Sequence, residues 1–462
     1  MGKNKISKVL AIVLSGMMAA SLAACGGSAA GTSSDQTAGQ ESTQAKNPED
    51  IKASITVSGW PSGDDGFKAA LAGFQEKYPN IEVEFDFTDT TSHHQALSTA
   101  LAAGSGAADV AMVEGAYIAQ YRDSKVLTNL LDNPYQAETY KDDFVALKWQ
   151  QAYSVDGKRM VAIPWDVGPC TYFYRMDVFE ECGLPTKPDE VAKLLSTWDG
   201  VLKAAEAVYV PGERWLVPSA TYFYQLMFCN RDYYNEDMTL RLDREGDEEC
   251  LNAIIEMRKN GWDMNVDMWS TEAYAAYQTG ACASVATGGW FGGFLKTDID
   301  PDGAVHWAVA ELPGGIKHCN WGGSFLVIPE QSKNKEAAWA FIEYMLCTAK
   351  AQNEMLKAVD YFPAYTPAYD DTAIYEEEDV YFGGGKTKAL WASISEDLEP
   401  VFNTMMDVTA EGCIYSSLNA GLEQGLDAQG LKKLLAGDIE TATAELKNQQ
   451  IQVYKDAGLW KQ

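Results

Sequence analysis

Apolar and polar residues alternate strictly along Ile81–Glu82–Val83–Glu84–Phe85–Asp86–Phe87, the period of a strand with one buried face. Upstream, Ile55 to Ser58 is a short, largely β-branched run that ends in Gly59 and Trp60. Between these runs Phe67, Leu71, Phe74 and Tyr78 recur at helical spacing. Asp64 or Asp65 is placed to cap that helix, and Pro79–Asn80 stops it. Gln95 to Ala103 reads as a second helix ending near Gly104. Asp109 to Val113 reads as an apolar strand, followed by Glu114–Gly115 and a helix through Tyr117 and Tyr121. Strand, helix, strand, helix, strand predicts a parallel α/β unit. Ligands of such sheets lie beyond the carboxyl ends of the strands, where Trp60 and Glu114 fall.

Further along, Ala152 to Met160 with Asp156–Gly157–Lys158 reads as a hairpin-like turn and a candidate crossing between lobes. A short apolar strand, Met160 to Ile163, then ends in Pro164, and Trp165, Asp166 and a Gly168–Pro169 corner lead into an aromatic strand, Thr171 to Tyr174. Asp177 is expected to cap a short helix that Gly183 closes. Gly280 closes a helix that Ser270 or Thr271 starts, and Gly288–Gly289–Trp290 ends the strand after it. His306 to Glu311 and Phe325 to Ile328 read as strands, and Glu336 to Cys347 as a helix capped by Ser332 or Asn334. Tyr361 to Tyr365 is irregular and reads as another crossing. The tail, Leu426 to Ala457, reads as amphipathic helix interrupted near Gly437, and no internal repeat of fixed period is present.

The start of the chain changes the picture. Lys3, Lys5 and Lys8 precede an apolar run from Val9 to about Ala20, then Leu22–Ala23–Ala24–Cys25–Gly26. This is an export signal over residues 1–24, with an apolar run too short to span a membrane. Leu22 to Cys25 resembles the bacterial lipobox, which implies a lipidated Cys25. Gly26 to Asp50 holds no aromatic residue and reads as a disordered tether, with a reach of roughly 27 Å. The expected location is therefore the outer face of the cell membrane, reached through a lipid anchor alone. The formal charge of −30 argues against nucleic acid and anionic lipid surfaces, and its plainest use is solubility. Nine cysteines include no CxxC, and no Cys/His spacing suits zinc. Those after Cys25 are either paired or buried thiols. The length beyond the tether predicts two lobes.

Four segments together resemble the extracellular solute-binding proteins of bacterial ABC importers, in their sugar-binding, maltose-binding-protein-like branch. The first is Asp109–Val110 through Leu127–Thr128–Asn129–Leu130. The second is Pro164–Trp165–Asp166–Val167–Gly168–Pro169 with Tyr174–Arg175 and Asp177. The third is Tyr277 to Ala283 with Gly289–Trp290, and the fourth is Leu312–Pro313–Gly314–Gly315, Gly322–Gly323–Ser324 and Lys333 to Ala338. Ala108 and Cys282 depart from the pattern. The resemblance implies an α/β, two-lobe periplasmic-binding-protein-like fold with several crossovers and a ligand cleft between lobes. The expected boundaries are 51–154 plus 322–360 for lobe I and 155–321 plus 361–462 for lobe II. It also implies a monomer that captures a sugar or oligosaccharide and hands it to a membrane permease, without cofactor or metal.

The candidate ligand-binding residues are Asp166, Trp290, Trp165, Trp321, Trp60 and Glu114. A ring can lie on the C–H face of a sugar, and a carboxylate can accept hydroxyl hydrogen bonds. Each has a plainer alternative: core packing for the Trp residues, a turn role for Asp166, a helix N-terminal carboxylate for Glu114. Tyr222, Tyr224 and Tyr365 read as core or rim. No His-Glu-x-x-His or Gly-x-Ser-x-Gly occurs, and Gly383–Gly384–Gly385–Lys386–Thr387 lacks the first glycine and strand of a phosphate loop. The expectation is therefore not an enzyme. A surface glycoside hydrolase using carboxylates such as Asp166 remains open, as does the same fold binding an anion, a metal complex or a polyamine.

Overall fold

The computed structural model describes residues 47, 50–303 and 305–460. The signal segment, Cys25 and nearly all of the tether lie outside the described residues.

Among the described residues eight strands form two sheets. The first has the order β2-β1-β3-β8-β4, with β1 Ala53–Gly59, β2 Ile81–Phe87, β3 Val110–Glu114, β4 Ala162–Pro164 and β8 Ser324–Val327. β1 is parallel to both β2 and β3, so the expected parallel α/β unit is present. β8 is antiparallel to β3 and β4. The second sheet has the order β6-β5-β7, with β5 Cys170–Arg175, β6 Ser284–Gly288 and β7 Trp307–Ala310, all antiparallel. Each sheet has its own core. Ile55, Val57, Phe67, Val113, Trp165 and Phe341 share the first, while Tyr172, Tyr174, Ile254 and Leu418 belong to the second lobe.

The alternation of β2 appears as seen in sequence, Val83, Phe85 and Phe87 being more buried than the acids between them. Helix α1, Pro61–Lys77, follows β1. It starts at Pro61, whose missing N–H costs nothing at a first helical position, and no side chain caps it. Asp64 and Asp65 therefore lie inside the first turns instead of capping. Helix α2, Thr90–Ala103, begins five residues earlier than its apolar spacing suggests, because the Asp89 carboxylate accepts from the Ser92 N–H at 3.0 Å.

Other expectations are corrected in the same way. Asp177 sits in the first turn of Met176–Glu181 and forks with the Arg175 guanidinium at 2.7 and 2.8 Å. Asn334 makes no side-chain cap, its amide being spent on Asp109 and the Ser54 carbonyl. Gly437 does not break the tail, which runs as one helix from Ala428 to Asp456. The Ala152–Met160 segment is a hairpin, with Tyr153 bridged to Met160, but no crossing follows it. β4 pairs with β8 in the first sheet, so the chain changes sheet at 165–169 and not at 155. It crosses again at 311–323. The 361–365 segment joins both lobes, Phe362 packing in the second and Ala364 in the first. Cys170, Cys229, Cys250, Cys282, Cys319 and Cys347 are buried free thiols, and Cys182 and Cys413 are half-buried ones. Among the described residues no helix is long and apolar enough to cross a membrane.

Candidate functional site

The carboxyl ends of β1, β3 and β4 meet the start of β8. In register, Glu114 faces Ser324 and Pro164 faces Phe325. In the second lobe Cys170 pairs with Gly288, which brings Trp290 to the point where the chain enters β5. A cavity of about 330 Å³ opens between the lobes. Trp60, Thr90, Glu114 and Tyr361 line it from the first lobe. Trp269, Trp290, Phe294 and Trp321 line it from the second, and Asp166 with Gly322, Gly323 and Ser324 forms the floor.

The second-lobe wall is built on Trp290. Its indole N–H donates to the Trp321 carbonyl at 2.7 Å, and the Trp321 ring meets it edge-on at 6.1 Å and 76°. Trp269 stacks on it at 5.3 Å and 18°. Two glycines make room for this ring. A Cβ on Gly168 would lie 2.1 Å from the Trp321 carbonyl, and one on Gly288 would lie 2.4 Å from Trp290 Nε1. The glycines beside Trp290 thus seat the indole itself.

The first-lobe wall is Trp60 on a histidine. Trp60 is 6% exposed, donates its indole N–H to Tyr361 Oη at 3.2 Å and stacks on His94 at 5.5 Å and 28°. His94 stacks in turn on Tyr117 at 3.9 Å. Its Nε2 accepts the Glu114 N–H at 3.1 Å, so the proton sits on Nδ1, which donates to the Thr90 carbonyl at 2.7 Å. Burial pushes the His94 pKa down to about 4, and the ring stays neutral.

The floor is a charged brace. Asp166 Oδ1 accepts the Ser324 N–H at 2.7 Å and the Ser324 hydroxyl as well. Glu114 Oε2 accepts the Ala116 N–H at 3.2 Å. Lys148, fully buried on the helix Ala146–Gln151, donates to the Gly322 carbonyl at 3.1 Å and lies 4.1 Å over the Phe325 ring. Gly322 and Gly323 have φ of 78° and 84°, a left-handed pair that turns this carbonyl toward the lysine. Burial raises the Glu114 and Asp166 carboxyls. The Lys148 ammonium opposes that rise for both, as do the Ser324 donors for Asp166. Burial depresses Lys148, and Asp166 and Glu114 hold it up.

Of the sequence candidates, Trp60, Glu114, Asp166, Trp290 and Trp321 share the one cavity. Trp165 does not. It is 0% exposed and packs on Phe67 at 4.7 Å and Tyr361 at 5.0 Å, because the residue after β4 points into the first core. Tyr222 and Tyr224 are buried in the second lobe, and Tyr365 packs on Phe144 at 5.2 Å. Sequence reasoning missed Thr90, Lys148, Tyr361, Trp269 and Phe294. The one available signal was Trp269, an aromatic residue in the polar turn Asp267–Ser270.

Residues 60–352 match the model of the bacterial extracellular solute-binding proteins. The chain belongs to that family. The arabinooligosaccharide-binding protein of Bacillus subtilis is 25% identical to it over 347 residues, 71% of this chain and 78% of that one. An extracellular solute-binding protein of family 1 superposes with a TM-score of 0.73 at 24% identity, covering 84% of this chain and 99% of its own. The ABC-transporter-associated binding protein of B. animalis subsp. lactis Bl-04, in complex with β-1,6-galactobiose, gives 0.67 at 24% identity, covering 86% and 98%. This solute-binding protein shares their two-lobe fold. Among its described residues no cluster of His, Cys, Asp and Glu could hold a metal ion.

Proposed function

We propose that this protein is the capture component of an ABC importer and that its cleft holds an uncharged sugar or oligosaccharide. The observation that carries the reading is one cavity with aromatic walls from both lobes and two carboxylates at its base. Rings suit the C–H faces of a sugar, each contributing about 0.5–1.5 kcal/mol beyond buried area. Together with charge-assisted hydrogen bonds the expected dissociation constant is of micromolar order, about −8 kcal/mol. The relatives named for sugars support the same ligand class. A hydrolytic role fits poorly, since Asp166 is engaged with Ser324 and Glu114 with Ala116. In this reading Cys25 carries the lipid, the folded body stands outside the membrane as a monomer, and a permease receives the sugar when the lobes reopen.

Titration of intrinsic Trp fluorescence with mono- and oligosaccharides, beside Trp290→Ala, tests the proposal. A saturable response that Trp290→Ala removes is expected. Response only to another solute class, or release of reducing ends from a bound glycan, overturns it.

A further inference from the structure

We infer that the second lobe carries a separate anion site, a cavity ringed by Arg231, Arg244 and Lys317 that takes the phosphate group of a small organic solute. The cavity, about 430 Å³, lies against the segment that leads from β7 toward Trp321, outside the interlobe cleft. Its sign runs against the chain. The formal charge is −30, and two other cavities follow it. The cleft is lined by Glu114 and Asp166, and a cavity of about 360 Å³ beside Tyr454 by Asp232, Glu236 and Asp407. In the Arg231 cavity three cations meet one acid, Glu245.

These cations are not spent on carboxylates. Among the described residues neither Arg244 nor Lys317 forms an ion pair. Arg231 reaches only Glu399, at 3.7 Å, and that acid is 83% exposed, so water screens the pair. Arg244 gives one Nη2 proton to the Asp232 carbonyl at 2.5 Å, and its Nε is buried without a partner. Burial, then Arg241 and Arg231, hold the Arg244 pKa below the usual guanidinium value, so like charges crowd here and a counter-charge is wanting. Guanidinium forks match phosphate oxygens two at a time. Gly246, Gly314 and Gly315, with φ of 79°, 68° and 70°, close one side with backbone alone. Trp198 and Met227 add an apolar flank for the carbon skeleton of the solute. The volume suits a small molecule, and the net charge of the chain repels an extended anionic surface.

The test is calorimetry on the full exported chain at low ionic strength in a phosphate-free buffer, with inorganic phosphate and glycerol phosphate as probes. Expected is saturable binding of both, tighter for glycerol phosphate. The double variant Arg231→Gln with Lys317→Gln should weaken it by about ten-fold or more. Glu245→Gln, which removes the one acid of the lining, should tighten it a few-fold. Trp290→Ala, in the cleft, should leave phosphate binding unchanged. Lys317 and Glu245 are exposed, so unchanged thermal midpoints for their single variants certify the fold. Absence of saturable binding by wild type, or equal binding by the double variant, overturns the inference. Loss of phosphate binding in Trp290→Ala overturns it by moving the anion into the cleft. Binding to phosphatidylglycerol vesicles without binding of either soluble probe overturns it by making the patch a membrane contact.

Discussion

Asp166→Asn takes one negative charge from beside a buried ammonium while keeping an oxygen that accepts from the Ser324 N–H and hydroxyl. Lys148, at 0% exposure, then has only Glu114 as counter-charge. Hydrogen bonds to charged groups contribute about 1.5–3 kcal/mol, against about 1 kcal/mol for neutral ones. Lys148 donates to the Gly322 carbonyl and makes no ion pair with Asp166 within 4.0 Å, so the roughly 3–5 kcal/mol of a broken buried pair is an upper bound here. The amide keeps the contacts and loses only the charge, so a loss of about 2 kcal/mol is expected. Lys148→Met leaves two enclosed carboxylates without a cation and should cost as much or more. The double variant removes the charge and its counter-charge together, and should be less destabilised than the sum of the singles by at least about 1 kcal/mol. Urea unfolding followed by circular dichroism, on protein stripped of ligand, reads these values, since bound ligand raises apparent stability. Additivity within about 0.5 kcal/mol would refute the reasoning, for then Lys148 does not feel Asp166.

Gly168→Ala should cost about 1–3 kcal/mol and shift Trp emission, because its Cβ collides with the Trp321 carbonyl that holds Trp290. His94 contributes a pH dependence of definite sign. Its folded pKa is depressed to about 4 from 6.5, so the unfolded chain takes the proton first. Stability therefore falls as pH drops from about 6.5 to about 4, by up to about 3 kcal/mol, and urea midpoints of His94→Gln should fall less across that window. Glu114 and Asp166 already place two acidic groups at the base of the cleft, where a third carboxylate would be desolvated beside them, so a uronic acid should bind roughly ten-fold or more weakly than its neutral counterpart, as calorimetry would show.

The parallel unit at the start of the fold was legible because three strands and two helices have clean periodicities and short links. So was the convergence of Trp60 and Glu114, since the strand ends of such a sheet are where ligands gather. Asp166 was legible as a carboxylate at a strand end beside a Gly–Pro corner, and Trp290 and Trp321 as rings beside paired glycines; the family resemblance strengthened the case for Asp166. Trp165 misled because a short strand gives no sense of which face its last side chain takes, and here it faces Phe67. Lys148 was invisible. A lysine in an amphipathic stretch normally points to water, and only the distant Gly322–Gly323 turn supplies the carbonyl that draws it inward. The late lobe boundary was hidden for a similar reason, since the partner of Ala162–Pro164 lies far downstream in β8.

Both indole N–H groups that frame the opening, on Trp60 and Trp290, are already engaged inside the protein. An arriving molecule therefore meets carbon surfaces from these two rings and no donor. Discrimination between one stereoisomer and another then falls to the polar atoms at the base, those of Thr90, Glu114 and Asp166 among them. A lineage could exchange its nutrient by editing those polar atoms while leaving the adhesive panel of the opposite half untouched.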